Sequence, residues 1–137
     1  MLNRGEVMIT TEQSNKAVDF IMEKINPVFI YFADHMMSEN IFDVAYYSEE
    51  SIDEYTVCLF ENELSSILGV PVELNNLNEC DTEFAGEILA DGETVYCKSE
   101  LEKTRFLNRI AREFESIRIN RAMLINRIKE CDSIYEQ

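Results

Sequence analysis

Histidine is almost missing from this chain, since His35 is the only one. Its four cysteines, Cys58, Cys80, Cys97 and Cys131, are widely scattered and form no C-x-x-C pair. These shortages argue against a Cys/His zinc site and against a disulfide framework. They fit reduced thiols in a cytoplasmic protein. No apolar stretch is long enough to span a bilayer. The opening residues, MLNRGEVMITTEQSNK, lack an apolar h-region, so no signal peptide is expected. Disordered tracts, repeats and low-complexity runs are lacking too. Basic residues are scarce over most of the chain: from Ser38 to Glu102 the only one is Lys98.

What remains is an acidic chain with enough apolar matter for a core. It has 137 residues, 46% of them apolar, which suits a single domain, most often roughly 100–150 residues long. We read residues 1–137 as one domain, with a core over about 14–98 and a C-terminal helical segment over about 99–131. The formal net charge is −15, which disfavours direct binding to nucleic acid. From Lys103 onward the balance reverses through Arg105, Arg109, Arg112, Arg118, Arg121, Arg127 and Lys129. An acidic body therefore precedes a basic segment. Solvated surface accounts for most of this pattern, and an electrostatically steered partner is its functional reading.

Periodicity supplies the elements. In residues 14–26, Val18, Ile21, Met22 and Ile25 share a helical face that Pro27 closes. PVFIYF is a continuous apolar run suited to a central buried strand, and IFDVAYY is a second strand. Ser51 and Glu54 have capping-box spacing ahead of a stripe of Val57, Phe60, Leu64, Ile67 and Leu68, with Gly69 as C-cap. VELNNL (72–77) is a short third strand. Asp81 caps a short helix through Phe84, Ile88 and Leu89, Asp91-Gly92 is a turn, and ETVYCK is a fourth strand. Residues 99–131 are helical along Phe106, Ile110, Phe114, Ile117, Leu124 and Ile128, with a kink or break expected at SIRIN (116–120), where β-branched residues cluster. Straight, that segment would run roughly 45 Å and overhang a small domain. The whole is a mixed α/β (α+β) fold: a four-stranded sheet flanked by helices, with a long C-terminal helix.

Within the second strand, Asp43 stands between apolar neighbours, a costly place for a carboxylate unless it is solvated, paired or on a metal. The order of elements, with FAGEILADGETVY and the phrase R-F-x-x-x-x-x-R-E-F from Arg105 to Phe114, resembles the minimal nucleotidyltransferases (MNT), small relatives of DNA polymerase β. The resemblance runs from about Ser14 to about Lys129. Members of that family are often encoded beside HEPN-domain proteins as antitoxins. Their first strand ends in Gly-Ser, their second carries Asp-x-Asp, and the next supplies a third carboxylate. Alternate strand residues share a face, so such carboxylates can hold two magnesium ions on the nucleotide phosphates.

Laid over that pattern, this chain has Ala33 and Asp34 in place of glycine and serine, Ile41 and Asp43 in place of the two aspartates, and Glu73 as third carboxylate. The loop 35–40 is short for the family. Ile41 cannot ligate a metal. Asp34 would set a negative charge against a triphosphate, a repulsion of roughly 4 kcal/mol at 4 Å and an effective dielectric of 20. The resemblance therefore implies a degenerate site. Asp43 and Glu73 are vestigial catalytic residues that hold one magnesium weakly at most, and the phosphate-binding turn at Ala33 and Asp34 is lost. No cofactor is expected. The implied function is an antitoxin-like binding partner of a HEPN-type RNase toxin.

Two alternatives stay open. One is an active enzyme that uses magnesium and ATP to transfer AMP to a protein partner, with Asp34 or Glu39 replacing the missing ligand. The other is a nucleotide-sensing scaffold without catalysis. Homo-oligomerisation through the C-terminal helix is compatible with all three. His35 reads as an exposed loop residue, and Met36 and Met37 as shields for the sheet edge.

Overall fold

The computed structural model of the chain describes residues 9–33 and 41–135. Asp34, His35, Met36, Met37 and Glu39 lie outside the described residues. The elements are α1 (Thr11–Lys24), β1 (Phe29–Ala33), β2 (Phe42–Tyr47), α2 (Glu54–Leu68), β3 (Val72–Asn76), a 3-10 turn (Leu77–Glu79), α3 (Thr82–Asp91), β4 (Gly92–Cys97) and α4 (Glu100–Tyr135). The expected four-stranded mixed sheet with flanking helices and a long last helix is the fold observed.

Strand order is β3-β2-β1-β4. Strand β1 pairs antiparallel with β2 and with β4, and β2 pairs parallel with β3. The apolar runs thus take the two central positions. Residues of β1 and β2 alternate between two cores. Ile30, Phe32, Phe42, Val44 and Tyr46 pack with Ala17 and Ile21 of α1 and Leu64 and Leu68 of α2. Phe29, Ala33 and Ala45 pack on the other face with Ala85 and Ile88 of α3 and Phe106 and Ile110 of α4. The alternation follows from the two-residue repeat of a strand.

Several local expectations need correction. The helix expected over 14–26 begins at Thr11, where Thr10 and Gln13 form the reciprocal capping box. It ends at Lys24, and Met22 faces solvent. Ser51 and Glu54 do not form a capping box. Asp53 is the N-cap of α2, accepting from the Thr56 backbone N–H and hydroxyl. Those bonds favour the ionised form and lower its pKa. The Ser51 hydroxyl donates instead to Glu79.

The turn expected at Asp91-Gly92 is absent, because α3 ends at Asp91 and β4 starts at Gly92. A Cβ at residue 92 would lie 2.2 Å from the Phe32 carbonyl oxygen, so only glycine lets the two strands approach there. The helix does not break at SIRIN: α4 is one helix of 36 residues. Its length is about 54 Å at 1.5 Å per residue. Isoleucine carries only a modest helix penalty, and α4 lies against α3 up to the contact between Arg121 and Glu83.

The outer edge of β3 is occupied. Phe42 N–H donates to the Pro71 carbonyl at 2.8 Å, so in this parallel pair Val72 and Leu74 turn their amides away from β2. Val72 N–H donates to Ser65 Oγ at 3.0 Å and Leu74 N–H to Glu61 Oε2 at 2.9 Å. Side chains of α2 thus take the place of a fifth strand.

Candidate functional site

On the face covered by α3 and α4, register sets one row across the sheet: Gly92, Ala33, Asp43 and Glu73. Neighbouring strands are about 4.8 Å apart, so Asp43 and Glu73 stand side by side. Their environments differ: Asp43 is only 4% exposed, whereas Glu73 is exposed. The next residues on this face are Ala45 on β2 and Asn75 on β3, which are themselves paired. Ile41 immediately precedes β2 and is half-buried.

The row therefore brings Ala33, Asp43 and Glu73 together. Asp34, read from the sequence beside Ala33, lies outside the described residues. Two carboxylates on adjacent strands, with an isoleucine two residues before one of them, are the acidic donors gathered here. No group of three or more His, Cys, Asp or Glu side chains suited to a metal occurs among the described residues. Magnesium demands near-octahedral oxygen coordination. Among the described residues this donor set fits part of the shell of one ion.

Two residues of this face escaped the sequence reading. The Tyr31 hydroxyl lies 2.6 Å from the Leu89 carbonyl oxygen and 2.8 Å from that of Gly92, tying β1 to the α3–β4 junction. Asn75 carries a buried Nδ2 without a hydrogen-bond partner, which costs about 1–3 kcal/mol. The signal in the sequence was the pair Asn75-Asn76 inside a strand, where asparagine is depleted. Asn76 has a structural use: its side chain bonds Ser48 and the Asn78 amide.

Negative charge gathers at this edge. Burial, then Asp81, Glu79 and Glu73, push the Cys80 thiol up to about 11. Burial, then Glu79 and Cys80, push the Tyr46 hydroxyl up to about 12. Farther along the same face, Tyr47, Glu49, Glu102, Arg105 and Arg109 line a cleft of about 420 Å³. Arg109 sits 5.0 Å from the Phe106 ring centre and 3.9 Å from Glu113. Its two arginines are balanced by two glutamates, so the cleft carries no net cationic charge.

The family described as polymerase beta, nucleotidyltransferase, matches residues 15–101. Solved structures share the fold. A chain of the toxin–antitoxin complex MntA–HepT is 16% identical, with a TM-score of 0.73 over 87% of this chain and 98% of that one. A chain from the complex of a tri-AMPylated Shewanella oneidensis HEPN toxin with an MNT antitoxin is 17% identical, with a TM-score of 0.70 over 85% of this chain and 95% of that one. A toxin–antitoxin structure with AMP-PNP gives 16% identity and a TM-score of 0.72 over 87% and 98%. At these identities the likeness is one of fold. No curated protein matches the chain. No described helix is long and apolar enough to cross a membrane.

Proposed function

Because this chain belongs to the polymerase beta nucleotidyltransferase family, we propose that it is an antitoxin-like partner of a HEPN-type RNase and acts by binding without transferring nucleotide. The observation that carries this reading is the row Ala33, Asp43 and Glu73. It keeps the family's second and third carboxylate positions and has Ile41 where the first ligand belongs. Two-ion activation of a nucleotide needs acidic ligands bridging both ions, and these positions do not supply them. The toxin–antitoxin complexes that share the fold support the choice of partner. The acidic body supports its chemistry: residues 1–98 hold 20 acidic and four basic side chains, a field complementary to a basic RNA-binding cleft. We place the complex in the cytoplasm, in keeping with free Cys58, Cys80 and Cys97.

The test combines binding with chemistry. Co-purification with a HEPN-type RNase at low salt should give a complex that weakens as salt rises and inhibits the RNase. Incubation of that complex with magnesium and labelled ATP should leave the partner unlabelled, and Asp43→Ala should still inhibit. Label transfer that disappears in Asp43→Ala would overturn the reading. It would favour the second one, a one-ion enzyme built on the side-by-side Asp43 and Glu73, with magnesium and ATP as cofactors. Failure of the two proteins to associate at low salt would overturn both.

A further inference from the structure

A seven-residue spacing runs along α4 from Leu107 to Ile128. Leu107, Ile110, Phe114, Ile117, Arg121, Leu124 and Ile128 follow one another in alternating steps of three and four, the spacing of a seam that meets another helix. The first half of the seam is used within the chain. Leu107 and Ile110 lie in or against the core, and the Phe114 ring covers Gly86 of α3 so closely that a Cβ there would come within 2.6 Å. The second half is not used. Beyond the Arg121–Glu83 contact, residues 121–129 are all exposed, with Leu124 at 57% and Ile128 at 52%. An apolar seam that continues past its own support calls for a helix from elsewhere.

Charge along this half selects the occupant. Residues 118–129 carry Arg118, Arg121, Arg127 and Lys129 and no acid, whereas residues 130–137 carry Glu130, Asp132 and Glu136 and no base. A parallel copy would set base on base and acid on acid. An antiparallel copy sets the acidic stretch of each against residues 116–122 of the other, which hold Arg118 and Arg121 and no acid. The register is compatible with this: packing Leu124 against Ile128 across a twofold axis centred at the Asn126 level brings the Arg118 position of one copy within two residues, about 3 Å along the helix, of the level of the Asp132 position of the other.

We propose that the projecting half of α4 is a self-association surface on which α4 of a second copy of this chain lies antiparallel. The pairing is independent of the nucleotidyltransferase row, which sits on the sheet. It makes a two-bodied molecule whose acidic cores are held apart at opposite ends of a shared helical bridge.

Analytical ultracentrifugation of the full chain over a concentration series should report a dimer. Leu124→Glu with Ile128→Glu should raise its Kd by more than about tenfold, and circular dichroism should stay unchanged because both side chains are exposed. Arg118→Asp should weaken the dimer, and adding Asp132→Arg should restore it. A chain monomeric at every concentration would overturn the proposal. So would a dimer indifferent to Leu124→Glu/Ile128→Glu, or a double charge exchange no tighter than the single one. A monomer whose projecting helix is captured only by the HEPN protein would overturn it while leaving the antitoxin reading intact.

Discussion

The two faces of the sheet are built from alternate residues of the same strands, yet they end differently. On one, Phe32, Phe42, Val44 and Tyr46 meet α1 and α2 in a closed apolar core. On the other, Ala33 and Ala45 are equally buried against α3 and α4, but Asp43, Glu73, Tyr31 and Asn75 bring polar atoms to the same face. Bulk on the first face excludes water and chemistry together. The second face mixes apolar packing with a row of polar side chains that includes Asp43 and Glu73.

This contrast can be broken from either side. The largest effect should come from the closed face: Leu64 is fully buried, and Leu64→Ala should cost about 2–5 kcal/mol by denaturant titration. On the other face, Gly86 of α3 is pressed by the Phe114 ring. Gly86→Val should cost about 1–3 kcal/mol by forcing the Phe114 ring aside, with a matching loss of protection in α3.

Alkali should then act on the two faces in sequence. Cys80 and Tyr46 have folded pKa values raised to about 11 and about 12. Each therefore binds its proton more tightly when folded, and its contribution is full below the unfolded value. That contribution fades between about pH 9 and 11 for Cys80 and between about pH 10 and 12 for Tyr46. After solvent screening the loss should be no more than about 1 kcal/mol each, seen as a falling Tm. Cys80→Ser should remove the earlier loss and leave the later one. The smallest effect belongs to Glu73→Gln. This exposed change should stay within about 0.5 kcal/mol of the parent, in contrast to any apolar position one residue away on β3.

Much of this was legible because apolar patterning speaks directly of burial. PVFIYF and IFDVAYY announced the central strands, and Leu64 and Leu68 announced the buried stripe of α2. Asp43 and Glu73 were found as a pair because strand alternation and the family pattern both place them on one face. Caps and junctions were harder to read. Ser51 and Asp53 can both cap a helix, and only the neighbouring Glu79, distant in sequence, draws Ser51 away. Nothing local distinguishes a turn at Asp91-Gly92 from a direct helix-to-strand passage. The passage depends on Gly92 pressing against the Phe32 carbonyl, a contact 60 residues away in the chain. The continuity of α4 likewise rests on α3, which supports the helix through the stretch where local propensity suggested a break. Asn75 escaped notice because its burial depends on what lies over β3.

The Ser65 and Glu61 side chains that satisfy Val72 and Leu74 have a consequence for assembly. An incoming peptide can lengthen a sheet only where amides still await acceptors, and along this margin they have already found them. Association by strand addition is closed off beside the acidic row, so a protein that approaches there must read side chains rather than backbone. Glu61→Ala with Ser65→Ala would reopen the margin, and the expected result is a chain that aggregates through its sheet while its helices stay folded.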